Sequence, residues 1–174
     1  MAEPVGRSIL AFMMLVVACG ALIAATAALT RERIEENRAR RFLVTLTELT
    51  GSAAAAAEVT WADDVAHLCN GRALARGAAP GYGGDIQWLA AADLSGRTPA
   101  LDRLRITAHQ ETPGIADFLN RPEHGWLATL IGATPAELDR VDAVSGATIT
   151  SRGLTRSLAA ALSDPALAAA ECDS

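Results

Sequence analysis

One uncharged stretch near the N-terminus constrains the fold more than any other feature of this sequence. No charged residue lies between Arg7 and Arg31, and Ile9–Leu29 is apolar or small throughout. About 20 residues at a rise of about 1.5 Å per residue cover the ~30 Å hydrocarbon core of a bilayer. The stretch therefore predicts a transmembrane helix over residues 8–30, after a short tail of residues 1–7.

A cleavable signal peptide is the alternative, because the small residues of Ala24–Ala28 resemble a processing site. Two features favour a retained anchor. The stretch is longer than the apolar core of a typical signal peptide, and it leads into a charged segment. In that segment Glu36 precedes Arg40 by four residues and leucines recur near helical spacing. We therefore expect the helix to extend over residues 31–50.

The residues alone do not determine on which side of the membrane the rest of the chain lies. Positively charged flanks tend to stay in the cytoplasm. Only Arg7 precedes the span, whereas the following flank carries Arg31, Arg33, Arg38, Arg40 and Arg41. The arginine count by itself would put the large domain in the cytoplasm.

Composition excludes some classes of partner. Residues 31–174 suffice for one compact domain with its own core. The whole chain has a formal net charge of −5, and all 15 of its basic residues are arginines. Such an acidic domain should be repelled by nucleic acid and by anionic lipid head groups, so other membrane proteins are the expected partners.

Cysteines and histidines give no metal-ligand spacing. Cys19 lies inside the predicted span, and His67, His109 and His124 are scattered along the chain. We therefore predict no metal site. The remaining cysteines, Cys69 and Cys172, could form a disulfide only in an extracytoplasmic domain, and their spacing does not establish the pairing.

Beyond the helical extension, the pattern predicts an Ala-rich connecting region over residues 51–80 and a compact domain over residues 81–165. A C-terminal tail of residues 166–174 follows. Within the domain we expect strands over Asp85–Ala92 and Leu101–His109, a helix over 122–131 and a short strand over 138–144. The last element is a helix over Arg152–Leu162, for which Thr150 and Ser151 offer N-cap hydroxyls.

Two loops could hold a ligand. Asp142–Thr148 places hydroxyls among small residues just before the last helix, where backbone amides and the helix dipole would favour an anion at Thr148. An ordinary Gly-containing turn is the alternative. In Thr112–Gly114, Pro113 and Gly114 suit the central positions of a turn. That turn is either a ligand loop or only a connection.

Taken together, four segments behind a single N-terminal span form a more specific pattern: Gly81–Ile86, Glu111–Gly114, Trp126 and Asp142–Thr148. The pattern resembles the FMN-binding domain of the G subunit of the Rnf electron transport complex. The C subunit of the sodium-translocating NADH:quinone reductase is a close relative. Asp142–Thr148 carries the most specific element, the flavinylation motif Asp-x-x-Ser/Thr-Gly-Ala-Thr. The resemblance implies an α+β fold, with one N-terminal transmembrane helix followed by one small extracytoplasmic FMN-binding domain.

The resemblance also implies roles for individual residues. Thr148 would be joined through its hydroxyl oxygen to the FMN phosphate by a phosphoester, which a separate flavin transferase makes with FAD as donor. The residues that the transferase recognises, or that give it access, would be Asp142, Ser145, Gly146 and Ala147. Thr150 and Ser151 would contact the phosphate. Contacts near the isoalloxazine ring fall to Glu111, Thr112, Pro113, Gly114, Tyr82 and Gly83.

The function implied is an electron relay without a catalytic acid or base on this chain. The chain would serve an ion-translocating ferredoxin:NAD oxidoreductase as a single-pass protein of the bacterial inner membrane. Its partners would be A, B, C, D and E type subunits, the flavin transferase during maturation, and membrane lipid, but no nucleic acid. The resemblance places the FMN domain in the periplasm, against the arginine count. The alternatives are a C-type subunit of the quinone reductase and a non-redox, membrane-anchored interaction module.

The chain departs from the family pattern in two places. The family turn usually continues Gly-Leu-Gly, whereas Gly114 is followed here by Ile115 and Ala116. The region between Leu49 and Gly81 is short and Ala-rich for the family. Neither departure touches the attachment motif.

Overall fold

The computed structural model describes residues 3–57, 59–68, 70–114, 116–120 and 125–168. The chain divides into two units, residues 1–44 and 45–174. The predicted α+β class, with one long apolar helix at the N-terminus, is confirmed. Cys69, Cys172, Ile115 and the start of the helix predicted over 122–131 lie outside the described residues.

The first unit is helical. Helix α1 runs over Glu3–Thr50, which confirms the predicted extension beyond the apolar stretch, and residues 45–50 belong to the second unit. By length and composition α1 can cross a membrane. Its polar part carries helix-surface ion pairs, such as that between Arg31 and Glu35 at 3.1 Å. Such exposed pairs add only a few tenths of a kcal/mol each, roughly, to helix stability.

A four-stranded antiparallel sheet forms the centre of the second unit, in the order β1-β2-β3-β4. The strands are β1 (Val65–Leu68), β2 (Arg72–Pro80), β3 (Asp85–Asp93) and β4 (Ala100–Ala108). Strands β3 and β4 confirm the two predicted strands to within one residue at each end. The prediction of residues 51–80 as a connecting region was wrong, because this region supplies β1 and β2.

Both faces of the sheet are covered. Trp88 and Ile86 of β3 face a larger core that includes the last long helix. Leu89 and Ala91 of the same strand face a smaller core with Leu49 at the end of α1. Alternate residues of a strand point to opposite faces. Strand β3 is therefore buried on both sides, and every residue from Leu89 to Ala92 is at most 2% exposed.

Short helices surround one longer helix in the second unit. They are α2 (Ala53–Ala57), α3 (Asp117–Asn120), α4 (Gly125–Leu130), α5 (Pro135–Leu138) and α7 (Pro165–Ala168), and the longer helix is α6 (Thr148–Leu162). The predicted strand over 138–144 was wrong, because Leu138 ends helix α5 and residues 139–144 form turns and a loop. Helix α4 accounts for most of the helix predicted over 122–131. Helix α7 lies at the start of the predicted tail.

Glu137 is expected to make the second unit sensitive to acid. Its carboxylate accepts hydrogen bonds from the Thr134 backbone N–H (2.8 Å) and hydroxyl (2.7 Å), which lower the Glu137 pKa. A lowered folded-state pKa stabilises the fold above the ordinary glutamate pKa of about 4.3. That stabilisation is lost as the pH falls through the lowered pKa. Thermal unfolding between pH 7 and pH 3 should therefore show a smaller acid-induced loss in Glu137→Gln than in the wild type.

Asp139→Asn is the control for this titration, because it removes the same charge two residues away and leaves the Thr134 hydrogen bonds intact. It should keep the wild-type loss of melting temperature on acidification. An equal acid-induced loss in the wild type and Glu137→Gln would contradict the role of this pair.

Candidate functional site

The loop Asp142–Ala147 leads directly into α6. Gly146 has a φ of +79°, a conformation that glycine adopts without a steric penalty. Ser145 and Gly146 are exposed, whereas Ala147 is buried and its N–H donates to the Val144 carbonyl at 3.0 Å. The loop therefore turns sharply, and its exposed turn at Ser145 and Gly146 carries only small side chains.

Thr148 is the first residue of α6, and its side chain is exposed. The first intrahelical hydrogen bond runs from the Ser151 N–H to the Ala147 carbonyl at 2.9 Å. The N–H groups of the three preceding residues, Thr148, Ile149 and Thr150, have no acceptor inside the helix. The hydroxyl of Thr148 thus lies at the positive end of a four-turn helix, in a setting that favours an anion.

Two side chains hold the loop against the rest of the second unit. The Trp126 Nε1–H donates to the Asp142 carbonyl at 2.7 Å, and the Trp126 ring meets Phe118 edge to face. The Ser151 hydroxyl accepts from the Val144 N–H at 3.2 Å and donates to the Ala147 carbonyl at 2.8 Å. The conformation of the loop is therefore set by contacts at both of its ends.

The predicted N-cap role of Thr150 and Ser151 was wrong, because α6 begins at Thr148, four residues before the predicted start at Arg152, with Ala147 at the N-cap position. Both side chains are buried, with exposures of 1% and 0%. The Thr150 hydroxyl accepts from the Tyr82 N–H at 3.4 Å, and the Ser151 hydroxyl accepts from the Val144 N–H of the loop before α6. Their predicted contact with a phosphate stays a prediction, and their burial favours a structural role.

The loop between β2 and β3 lies beside the start of α6. Besides the contact with Thr150, its Gly83 N–H donates to Glu111 Oε1 at 3.1 Å. A Cβ atom on Gly81 would collide with the Glu111 carboxylate, and one on Gly83 would collide with the Gln110 carbonyl. Tyr82, at the tip of the loop, is 77% exposed. The structure thus joins the predicted Tyr82–Gly83 loop, Glu111 and the first turn of α6.

The predicted turn at Thr112–Gly114 is confirmed. Gly114 has a φ of +91°, and its N–H donates to Asp117 Oδ1 at 3.1 Å. Thr112, Pro113 and Gly114 are all exposed, next to the buried Glu111. The side chain of Glu111 therefore points inward to the β2–β3 loop while the turn faces solvent.

An open groove of about 450 Å³ begins at Thr148 and follows one side of α6. It is lined by Pro80, Thr148, Ile149, Arg152, Gly153, Arg156 and Ser157. Gly153 packs so closely against the Pro80 carbonyl that a Cβ atom would collide with it. Sequence reasoning missed Arg152 and Arg156. The signal that could have found them is their spacing of four and eight residues from Thr148, which places all three on one helix face.

Comparison with known protein families shows which domain these loops resemble. The model of the FMN-binding domain matches residues 81–163, a range that includes every predicted site residue. The matched range is 83 of the 174 residues, and this part of the chain is similar to the FMN-binding domain family. The match begins directly after β2. The sheet of the second unit thus includes two strands, β1 and β2, on the N-terminal side of the matched range.

Three relatives are each named as the G subunit of an ion-translocating oxidoreductase complex. The relative from Photorhabdus laumondii is 33% identical, over 49% of this chain and 45% of its own length. The relative from Buchnera aphidicola is 30% identical, over 45% of this chain and 52% of its own length. The relative from Stutzerimonas stutzeri is 33% identical, over 47% of this chain and 40% of its own length. The chain spans about half the length of the curated relatives it matches, and the matches confirm the resemblance to the G subunit.

Glu111 is expected to fix the β2–β3 loop of the second unit. Its side chain is 7% exposed and accepts from the Gly83 N–H. Glu111→Ala removes a buried, charge-assisted hydrogen bond and should lower the free energy of unfolding by about 1–2 kcal/mol. It should also speed amide hydrogen exchange at Gly83. Glu111→Gln keeps a side-chain oxygen as acceptor and should retain most of the protection. Unchanged exchange at Gly83 in Glu111→Ala would show that other contacts hold the loop.

Proposed function

We propose that this chain carries FMN bound covalently through the Thr148 hydroxyl oxygen. The observation that supports the proposal most directly is the exposed Thr148 hydroxyl at the start of α6, inside a segment that matches the FMN-binding domain. The small exposed residues Ser145 and Gly146 leave this hydroxyl open to another protein. The free N–H groups of the first turn suit a phosphate.

The attachment step has a simple balance of atoms. The Thr148 oxygen attacks the flavin-side phosphorus of FAD, and the bond between that phosphorus and the bridging pyrophosphate oxygen breaks. AMP leaves, and the hydroxyl proton passes to a base of the flavin transferase. The chain gains the mass of FMN less one water. Thr148 contributes the nucleophilic oxygen and no other group of this chain is required to react.

The other predicted site residues have positioning roles in this proposal. Asp142 and Ser145–Ala147 form the segment that the transferase recognises. Ser151 and Trp126 hold that segment in its turn. Glu111 holds the Tyr82 loop beside α6, and we assign Tyr82, Gly83 and the exposed Thr112–Gly114 turn to the side on which the isoalloxazine ring lies.

We propose further that the chain is the G subunit of an Rnf complex and relays electrons between ferredoxin and NAD, coupled to ion movement. FMN when bound accepts two electrons and can release them one at a time. The names of the three relatives support this assignment, because each describes the G subunit of an ion-translocating oxidoreductase complex. The partners would be the other membrane subunits, of A, B, C, D and E type.

The same assignment places the FMN-binding domain on the periplasmic side of the inner membrane. Flavin transferases of this type work outside the cytoplasmic membrane, and Thr148 must meet one. A periplasmic reporter fused after residue 174 should be active and a cytoplasmic reporter inactive. The opposite result would remove the basis for the attachment chemistry.

The covalent flavin itself is the first test. The full chain, produced in a host with the transferase and then denatured, should fluoresce under ultraviolet light in a gel and show the mass of FMN less water. Co-purified subunits should oxidise ferredoxin. A colourless protein of unshifted mass would instead support the non-redox interaction module, and a quinone-reducing complex would support the C-type subunit.

A further inference from the structure

The groove beside Thr148 contains two arginines for which the attachment motif gives no reason. Arg152 and Arg156 are exposed and line the groove together with Thr148 and Pro80. Neither guanidinium has an ion-pair partner among the described residues. In a chain of net charge −5, two unpaired cations beside one exposed hydroxyl form a local site for an anion.

Helix geometry distinguishes the two arginines. Side chains of an α-helix lean toward its N-terminus, so a residue at position i+4 covers the turn that holds residue i. Arg152 therefore leans over the turn of Thr148, whereas Arg156 leans over the turn of Arg152. A guanidinium on a three-carbon stem at i+4 can reach an anion attached to the Thr148 oxygen. Arg156 lies one turn, about 5.4 Å, farther along the axis.

We propose that Arg152 binds the phosphate of FMN at Thr148; this inference rests on the proposed function and adds a residue to it. A phosphate in the phosphoester keeps one negative charge, and guanidinium binds such oxygens with two parallel N–H groups. Arg152 thus recognises the phosphate before attachment and neutralises it afterwards. Arg156 adds positive charge at longer range.

The backbone around the groove keeps Arg152 in place. Gly153, the next residue, packs directly on the Pro80 carbonyl, so α6 cannot slide along β2. Ser157, one turn later, donates to the Ala78 carbonyl and accepts from the Trp88 Nε1–H, each at 3.0 Å. The helix that carries Thr148 and Arg152 is therefore fixed on the sheet, and the distance between their backbones does not depend on the flavin.

The test compares FMN with riboflavin, which lacks only the phosphate. The full chain, produced without the transferase and held in detergent, is titrated with each flavin by fluorescence quenching. The wild type should bind FMN more tightly than riboflavin. Arg152→Gln should weaken FMN binding about tenfold, the size expected for a partly exposed charge-assisted pair, and leave riboflavin binding unchanged. Arg156→Gln should weaken FMN binding about twofold.

Arg97→Gln is the matched control, because Arg97 is exposed in the β3–β4 connection, away from the groove. It should bind FMN like the wild type, and Arg152→Lys should recover part of the loss. The proposal is overturned if the wild type does not prefer FMN to riboflavin, or if Arg152→Gln keeps the preference. It is also overturned if phosphatidylglycerol micelles displace FMN better than inorganic phosphate does, which would indicate a lipid head-group site.

The failure of this proposal and that of the proposed function give different results. The flavin titration uses a chain without adduct and measures phosphate recognition alone. The mass of the chain made with the transferase measures covalent attachment alone. A chain that stays unmodified in the presence of the transferase, yet prefers FMN, would refute attachment at Thr148. If the wild type gains the adduct, yet Arg152→Gln made without the transferase binds FMN like the wild type, the role of Arg152 is refuted while attachment at Thr148 stands.

Discussion

Thr148→Ala is expected to abolish the FMN adduct completely. The substitution removes the only oxygen that the attachment step uses, and the exposed position means that little packing is lost. Unfolding by urea should therefore match the wild type while the added mass and the gel fluorescence disappear. The measurement is the intact mass of the full chain produced with the transferase.

Two variants separate chemistry from structure at this position. Thr148→Ser keeps a hydroxyl and should retain at least part of the adduct. Thr150→Ala removes a buried hydroxyl that accepts from the Tyr82 N–H, and it should keep the adduct while lowering stability. An adduct that persists in Thr148→Ala would move the attachment site to another residue. Loss of the adduct in Thr150→Ala alone would do the same.

Gly153→Ala is expected to destabilise the second unit by about 1 kcal/mol. Alanine is a better helix former than glycine by about 1 kcal/mol, so helix propensity alone predicts a gain. The added Cβ atom would, however, collide with the Pro80 carbonyl, which is backbone and cannot rotate away. Overpacking of this kind typically costs about 1–3 kcal/mol, and here α6 would have to move off β2.

Gly125→Ala is the matched control for this prediction. Gly125 also lies in a helix, but a Cβ atom there meets nothing within 4 Å. It should leave stability unchanged or raise it slightly, as measured by the urea midpoint in detergent. Equal midpoints for Gly153→Ala and the wild type would mean that α6 shifts freely. Because Arg152 and Thr148 move with α6, a true displacement should also slow flavin attachment.

The sheet was only partly predictable from the sequence, for a physical reason. Strands β3 and β4 contain large apolar residues such as Trp88, Leu101 and Leu104, which give a hydrophobic pattern. Strand β2 is buried through small residues, since Ala73, Ala75 and Ala79 are at most 3% exposed. Alanine has weak strand propensity and is common in helices, so its burial leaves no strand signal.

The candidate site divides in the same way. The Asp142–Thr148 motif, together with the Glu111–Gly114 turn that precedes it, was sufficient to predict the resemblance to the family, because a motif can be recognised in the sequence itself. The N-cap assignment of Thr150 failed because the buried hydroxyl satisfies the Tyr82 N–H of a loop 68 residues away. Arg152 was missed because its importance depends on a groove that β2 forms. Long-range contacts of this kind leave no local pattern.

The contacts of α6 also set when the site can form during synthesis of the chain. Tyr82 to Thr150 spans 68 residues, Trp88 to Ser157 spans 69, and Ser157 to Ala78 spans 79. Ribosomes add about 5–20 residues per second, so several seconds pass between the synthesis of β2 and β3 and that of α6, which packs on them. Until Ser157 has emerged, the sheet face that α6 covers stays open to solvent. Completion of the site therefore depends on a segment made well after the sheet, and a chain interrupted before α6 exposes an apolar sheet face instead of the candidate site.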